Sequence, residues 1–140
     1  MPDLMPLRLP SGWMIAFNRF FEISAPENLT QREKDTHLGQ DLLSLEHMRA
    51  GKSGWEPVPG GYIIDLGWYP HGDSNGSYVL SLIYGGWDNL VVEFKNRNCH
   101  TVATAIRDIT RMIDLGESAA SITESFESQP TSPPGQPGDE

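Results

Sequence analysis

The chain has a single cysteine, Cys99, in 140 residues. No internal disulfide can staple it, and stability must come from a packed core. A lone thiol agrees with a reducing compartment, which makes the cytoplasm the expected location. Long apolar runs are also missing. No window approaches the roughly 18 consecutive apolar residues of a membrane-spanning helix. Met1 to Pro10 lacks the basic start and unbroken apolar stretch of a secretory leader, so no export is expected. Basic charge is scarce: 10 Lys and Arg stand against 19 Asp and Glu, a formal net charge of −9. That balance disfavours sequence-independent binding to DNA or RNA, which depends on neutralising phosphates. Six of the acids (Asp114, Glu117, Glu124, Glu127, Asp139, Glu140) follow a point after which no Lys or Arg occurs, so the body carries 13 acids against 10 bases, a net −3. The acidity is mostly a property of the tail.

Catalytic signatures are absent as well. There is no Gly-x-Ser-x-Gly elbow, phosphate-cradling loop or dinucleotide fingerprint. His37, His47, His71 and His100 lie far apart, none with a Cys or second His at metal-ligand spacing. Neither metal nor cofactor is expected.

What the sequence does contain is one domain's worth of alternating and helical patterns. Trp13, Ile15 and Phe17 share one side of an extended segment over Trp13–Ile23, bounded by Ser11-Gly12 and Ser24-Ala25-Pro26. Glu27 to His37 is polar without an apolar stripe and reads as an exposed loop or a frayed approach to a helix. Leu38, Leu42, Leu45 and Met48 step by four, three and three, which predicts a helix with Asp35 or Thr36 as N-cap and Gly51 as stop. Lys52 to Gly61, with two prolines and a Gly-Gly pair, reads as a loop. Tyr62–Tyr69 and Ser77–Tyr84 alternate in period two around the turn-forming Pro70-His-Gly-Asp-Ser-Asn-Gly76 and predict an antiparallel hairpin, extended by a strand over Leu90–Lys95. Val102, Ile106, Ile109 and Ile113 predict an amphipathic helix after Asn98, ended at Gly116. The expected organisation is an extension over 1–12, a single α+β domain over 13–116, a short helix within 117–126, and a disordered acidic Pro-rich tail over 127–140. The order β-α-β-β-β-α predicts a two-layer sandwich, an antiparallel sheet of about four strands with helices on one face. The other face is left to solvent or a partner.

Asp65 sits between Ile64 and Leu66, either as a partly buried acid with a raised pKa or as a solvent-facing carboxylate on the open side. With Glu93 it raises the possibility of paired carboxylates, and a small hydrolase or nuclease using Asp65, His71, Asp73 and Glu93 is the rival reading. A regulatory interaction module whose acidic Pro-rich tail recruits a partner is a third. Asp73-Ser-Asn75-Gly resembles the start of a calcium loop, but the position that needs a bidentate acid falls on Tyr84. Cys99 at a helix start suggests a lowered thiol pKa. Trp68, Tyr69, Tyr78, Tyr84 and Trp87 crowd one hairpin and its following turn, more aromatics than one helical layer can cover, and exposed aromatics beside acids suit protein binding. The expected interface residues are Asp65, Trp68, Tyr69, His71, Asp73, Asn75, Trp87, Asp88 and Glu93.

The string Ile64-Asp-Leu-Gly-Trp-Tyr-Pro-His-Gly-Asp-Ser-Asn-Gly-Ser-Tyr78, followed by Trp87-Asp88-Asn89 and preceded by Ser11-Gly-Trp13 with its Phe-Asn-Arg-Phe-Phe strand, resembles small cytoplasmic immunity proteins of bacterial polymorphic-toxin and contact-dependent growth inhibition systems. The likeness spans roughly Pro10 to Asp114. It implies a non-enzymatic stoichiometric inhibitor whose partner is a cognate toxin domain, a nuclease being one such class, with no direct contact to nucleic acid or membrane.

Overall fold

A computed structural model describes residues 2–86 and 88–127. Its elements run β1 (Trp13–Asn18), a 3₁₀ turn (Pro26–Asn28), α1 (Gln31–His37), β2 (Leu43–Gly51), β3 (Gly54–Pro57), β4 (Tyr62–Tyr69), β5 (Ser77–Tyr84), β6 (Leu90–Asn96), α2 (Cys99–Asp114) and α3 (Ala119–Glu127). Five strands form an antiparallel sheet in the order β1-β2-β4-β5-β6, and β3 pairs with the far end of β2. The class is α+β with an antiparallel sheet, as expected; among the described residues the sheet counts six strands, the expected four or so extended by β3 and by β2, a segment expected as a helix.

The hairpin is the centre of the sheet because its alternation is nearly perfect. Tyr62, Ile64, Leu66 and Trp68 of β4 pair in register with Tyr84, Leu82, Leu80 and Tyr78 of β5. All but Tyr84 are buried. Leu43 and Leu45 of β2 and Val92 of β6 extend the same apolar face. Val102, Ile106, Ile109 and Ile113 of α2 join this core, as does Ile122 of α3. Asn98 caps α2, its side-chain oxygen accepting from the N–H groups of His100 and Thr101 at 2.9 and 3.1 Å. Gly116, at φ +83°, lies just past its end.

Two expected elements are exchanged. The segment Leu38–Met48 is not a helix: Leu43 to Gly51 is a strand. Leu43 and Leu45 are buried while Ser44 and Glu46 are only half-buried, a period of two that the four-three-three spacing of Leu38, Leu42, Leu45 and Met48 masks. The polar run expected as a loop or a frayed approach to a helix itself contains a helix, α1. Thr30 forms a capping box with Glu33: the Thr30 hydroxyl accepts from the Glu33 N–H, and the Glu33 carboxylate accepts from the Thr30 N–H. Gly51 ends a strand rather than a helix, and Lys52–Gly61 contains β3. The expected strand to Ile23 stops at Asn18. The N-terminal segment packs onto the body, because Met5 is buried and its N–H donates to the Phe20 carbonyl at 2.8 Å. α3 begins and ends close to the expected turn or two. The tail from 128 on lies outside the described residues, as does Trp87.

Gly67 has no room for a side chain, since a Cβ there would collide with the Gln40 backbone. Gly67→Ala is therefore expected to destabilise the fold by roughly 2 to 3 kcal/mol in urea unfolding. His37 is buried, packs edge-on against Phe21 at 4.7 Å, and has an unpartnered Nδ1. Burial lowers its pKa from 6.5, only partly opposed by the Glu33 carboxylate. Below pH 6.5 the unfolded state takes up the proton more readily than the folded state, so stability falls as the solution is acidified and levels off below the lowered folded value. The thermal midpoint is expected to drop between pH 7.5 and 5.5, and His37→Phe to reduce that dependence.

Candidate functional site: the helix-free face of the sheet

Side chains that alternate with the core residues point to the other face of the sheet. Register assembles them into transverse rows. One row reads Phe17, Ser44, Asp65, Ser81, Glu93 across β1, β2, β4, β5 and β6. The next reads Met14, Glu46, Ile63, Ile83, Leu90. The helix contacts fall on the opposite, core face. This face is accordingly mixed: Met14, Phe17 and Leu90 are exposed at 39, 41 and 52 %, whereas Ile83 is buried within the same surface.

Asp65 stands at the centre, half-buried, with Ser44 and Ser81 as its cross-strand neighbours. Burial raises its pKa, and the negative charge of Asp41 raises it further. The phenol of Tyr69, four residues along on the same face and 41 % exposed, is likewise pushed up by burial and then by Asp65 and Asp41. Glu93 is exposed and is met by Lys95 at 3.7 Å. The face and its border thus carry Asp41, Glu46, Asp65 and Glu93 against Lys95. Ser44, Ser81 and Asp41 were not singled out from the sequence, and Phe17, expected on the same side as Trp13 and Ile15, is turned to this face by a bulge between Ile15 and Phe17. Strand parity would have supplied Ser81, but the others depend on β1 and β2 being placed beside β4.

The remaining expected interface residues separate into three groups. Trp68 is fully buried rather than presented to a partner: its indole N–H donates to the Asp73 carbonyl at 2.7 Å, its ring meets Tyr78 edge-on at 4.8 Å, and the Arg97 guanidinium lies 5.8 Å from its centre. Its strand parity places it under the helices. His71, Asp73 and Asn75 are exposed on the hairpin tip, where the Asp73 carboxylate accepts from the Asn75 N–H at 2.9 Å, the bond of an Asx turn. Asp88 is exposed in the following turn.

The residues of the rival catalytic reading do not converge. Asp65 and Glu93 are separated by β5, a lateral distance of about 10 Å. His71 and Asp73 belong to the loop at the hairpin's end. None of the four lines either of two surface hollows, about 340 and 580 Å³, that lie at the start and end of α2. Cys99 is buried beside the Ile23 carbonyl, and burial raises its thiol pKa, outweighing the backbone N–H groups of the helix start that lower it. Among the described residues no three His, Cys, Asp or Glu side chains are grouped to hold a metal ion. No helix among them is long and apolar enough to cross a membrane.

Because the folded state disfavours the Asp65 carboxylate relative to the unfolded state, Asp65→Asn is expected to raise the thermal midpoint at pH 7. The gain is expected to shrink as pH falls through the raised folded pKa, where the native carboxyl becomes neutral anyway. Protein-family models, curated proteins and solved structures were each compared with the chain, and none matches it.

Proposed function

We propose that the chain is a non-enzymatic binding protein, an immunity protein that neutralises a cognate toxin domain by direct contact in the cytoplasm of the cell that makes both. The observation that carries this reading is the helix-free face, where a half-buried Asp65 sits among exposed apolar and aromatic side chains. A two-layer sandwich of this kind leaves one broad sheet surface for a partner. The resemblance of the stretch from Pro10 to Asp114 to immunity proteins points the same way.

The binding surface on this reading comprises Asp65, Tyr69 and Glu93, with Phe17 added at one side, and a polar rim at the hairpin tip formed by His71, Asp73 and Asn75. Asp88 completes it at the opposite turn, and Trp87 is assigned to it from the sequence alone. Acids on such a face steer a basic partner toward it and set orientation more than affinity. A nuclease domain, which must attract phosphates, is a partner with that charge.

The test is co-expression with a candidate toxin domain from the genome that encodes this chain, followed by titration of the purified pair. The chain is expected to restore growth. Tyr69→Ala is expected to weaken binding about tenfold or more, as loss of an interface aromatic does. Asp65→Lys is expected to weaken it further and to reverse its salt dependence. Full protection and unchanged affinity in both variants would remove this face from the binding site.

A further inference from the structure

Basic charge is scarce in this chain, yet three of its 10 Lys and Arg residues line one surface hollow of about 580 Å³ at the end of α2. Arg107 and Arg111 are one helical turn apart, so they share a side of α2 while Ile106, Ile109 and Ile113 hold the other side in the core. Arg8 arrives from the N-terminal segment. That segment is pinned at two points: the Met5 N–H donates to the Phe20 carbonyl at 2.8 Å, and the Gly12 carbonyl accepts from the Met48 N–H at 2.7 Å. Between them Leu7 and Leu9 pack against the core. Arg8 is therefore carried to the hollow by anchored backbone, not by a loose terminus.

Ordinary structural roles account for part of this cluster. Arg111 lies in the last turn of α2, where a cation offsets the negative end of the helix dipole. Arg107 meets the neighbouring Asp108 carboxylate at 3.4 Å. Neither role calls for Arg8, and like charges four residues apart weaken a helix. Among the described residues the Arg8 and Arg111 guanidiniums have no ion-pair or hydrogen-bond partner. Asp114 is the one carboxylate among the residues that line the hollow. Three guanidiniums against one carboxylate leave a local charge of +2, inside a chain of net charge −9.

Charge and shape together select the ligand. A phosphate monoester carries about −1.5 to −2 at neutral pH, which balances the hollow. The planar guanidinium fork matches phosphate oxygens two at a time, where a lysine would offer only a point charge. The volume exceeds what a phosphate fills and falls in the range of small-molecule sites, roughly 300 to 1,000 Å³. Leu9, Pro10 and the exposed Leu115 supply an apolar wall beside the arginines. We propose that the hollow binds a small phosphate monoester, with Arg8, Arg107 and Arg111 on the phosphate and the apolar wall against its organic body. The site lies on the helical side of the sheet. It neither uses nor blocks the face around Asp65, so it stands or falls apart from the toxin-binding reading.

The experiment is a proton–nitrogen NMR titration of the full chain with phenyl phosphate, inorganic phosphate and succinate, at constant ionic strength and about pH 7.5, where the monoester is dianionic. The expected result is saturable shifts confined to the amides around Arg8 to Gly12 and Arg107 to Gly116. Phenyl phosphate is expected to bind about fivefold more tightly than inorganic phosphate, because its ring covers apolar wall. Arg8→Gln and Arg111→Gln are each expected to weaken it about tenfold or more, as loss of a charged hydrogen bond does. Asp114→Asn removes the opposing carboxylate and is expected to tighten it. Circular dichroism and an unchanged thermal midpoint show that each variant is folded. No saturable binding, affinity unchanged in both arginine variants, or succinate binding as tightly as phenyl phosphate would each overturn the proposal. So would tighter binding after Asp139→Asn with Glu140→Gln, which would show acids of the chain's own tail competing for the hollow.

Discussion

Everything in this structure depends on the sheet being sealed on one face only. α2 and α3 lay Val102, Ile106, Ile109, Ile113 and Ile122 over the leucines, isoleucine, tryptophan and tyrosines of β2, β4 and β5, and that contact contains the buried apolar surface that drives folding. The alternation of a strand then leaves the complementary set of side chains without a helix above them. Asp65 and its row are products of the same register that builds the core. A one-residue slip of β4 would bury Asp65 and expose Trp68, so core stability and the identity of the open face are coupled.

Trp68 shows how a residue that looks functional can be structural. It belongs to the most distinctive string in the chain, and its aromatic character invites a role in binding. Instead it fills the core under the helices and reaches with its indole N–H to hold the loop from Pro70 to Gly76, which Arg97 also grips through the Gly76 carbonyl. The loop's conformation is thus set from beneath. Its exposed His71, Asp73 and Asn75 are presented by a braced turn, which lowers the entropy that a partner would otherwise have to remove on binding.

The hairpin and α2 were legible because each shows one unambiguous period over a full element, and Asn98 and Gly116 mark the helix ends. β2 was not legible. Its leucines satisfy a helical spacing and a strand spacing at once, and only the pairing partners β1 and β4 decide between them. α1 failed for the opposite reason: it is too polar to show a stripe, although Thr30-Gln-Arg-Glu33 carried a capping-box signature that the missing apolar pattern overshadowed. The site was half legible. Asp65, Tyr69 and Glu93 follow from β4 and β6, whose parity is clear, while Phe17 and Ser44 required strand neighbours that local sequence does not specify. Cys99 inverts its expected chemistry because the turn of α2 that holds it faces the core.

The helix-covered face and the open face of the sheet are separate surfaces built by one strand register. Hydroxyl-radical footprinting of the chain mixed with the toxin domain proposed as its partner tests the central claim most directly, because it reads side-chain solvent access residue by residue. The account predicts loss of reactivity at Phe17, Met14 and Tyr69 on the helix-free face, with Leu115 at the end of α2 unchanged. Protection of the helical side, with the face around Asp65 still fully reactive, would contradict it.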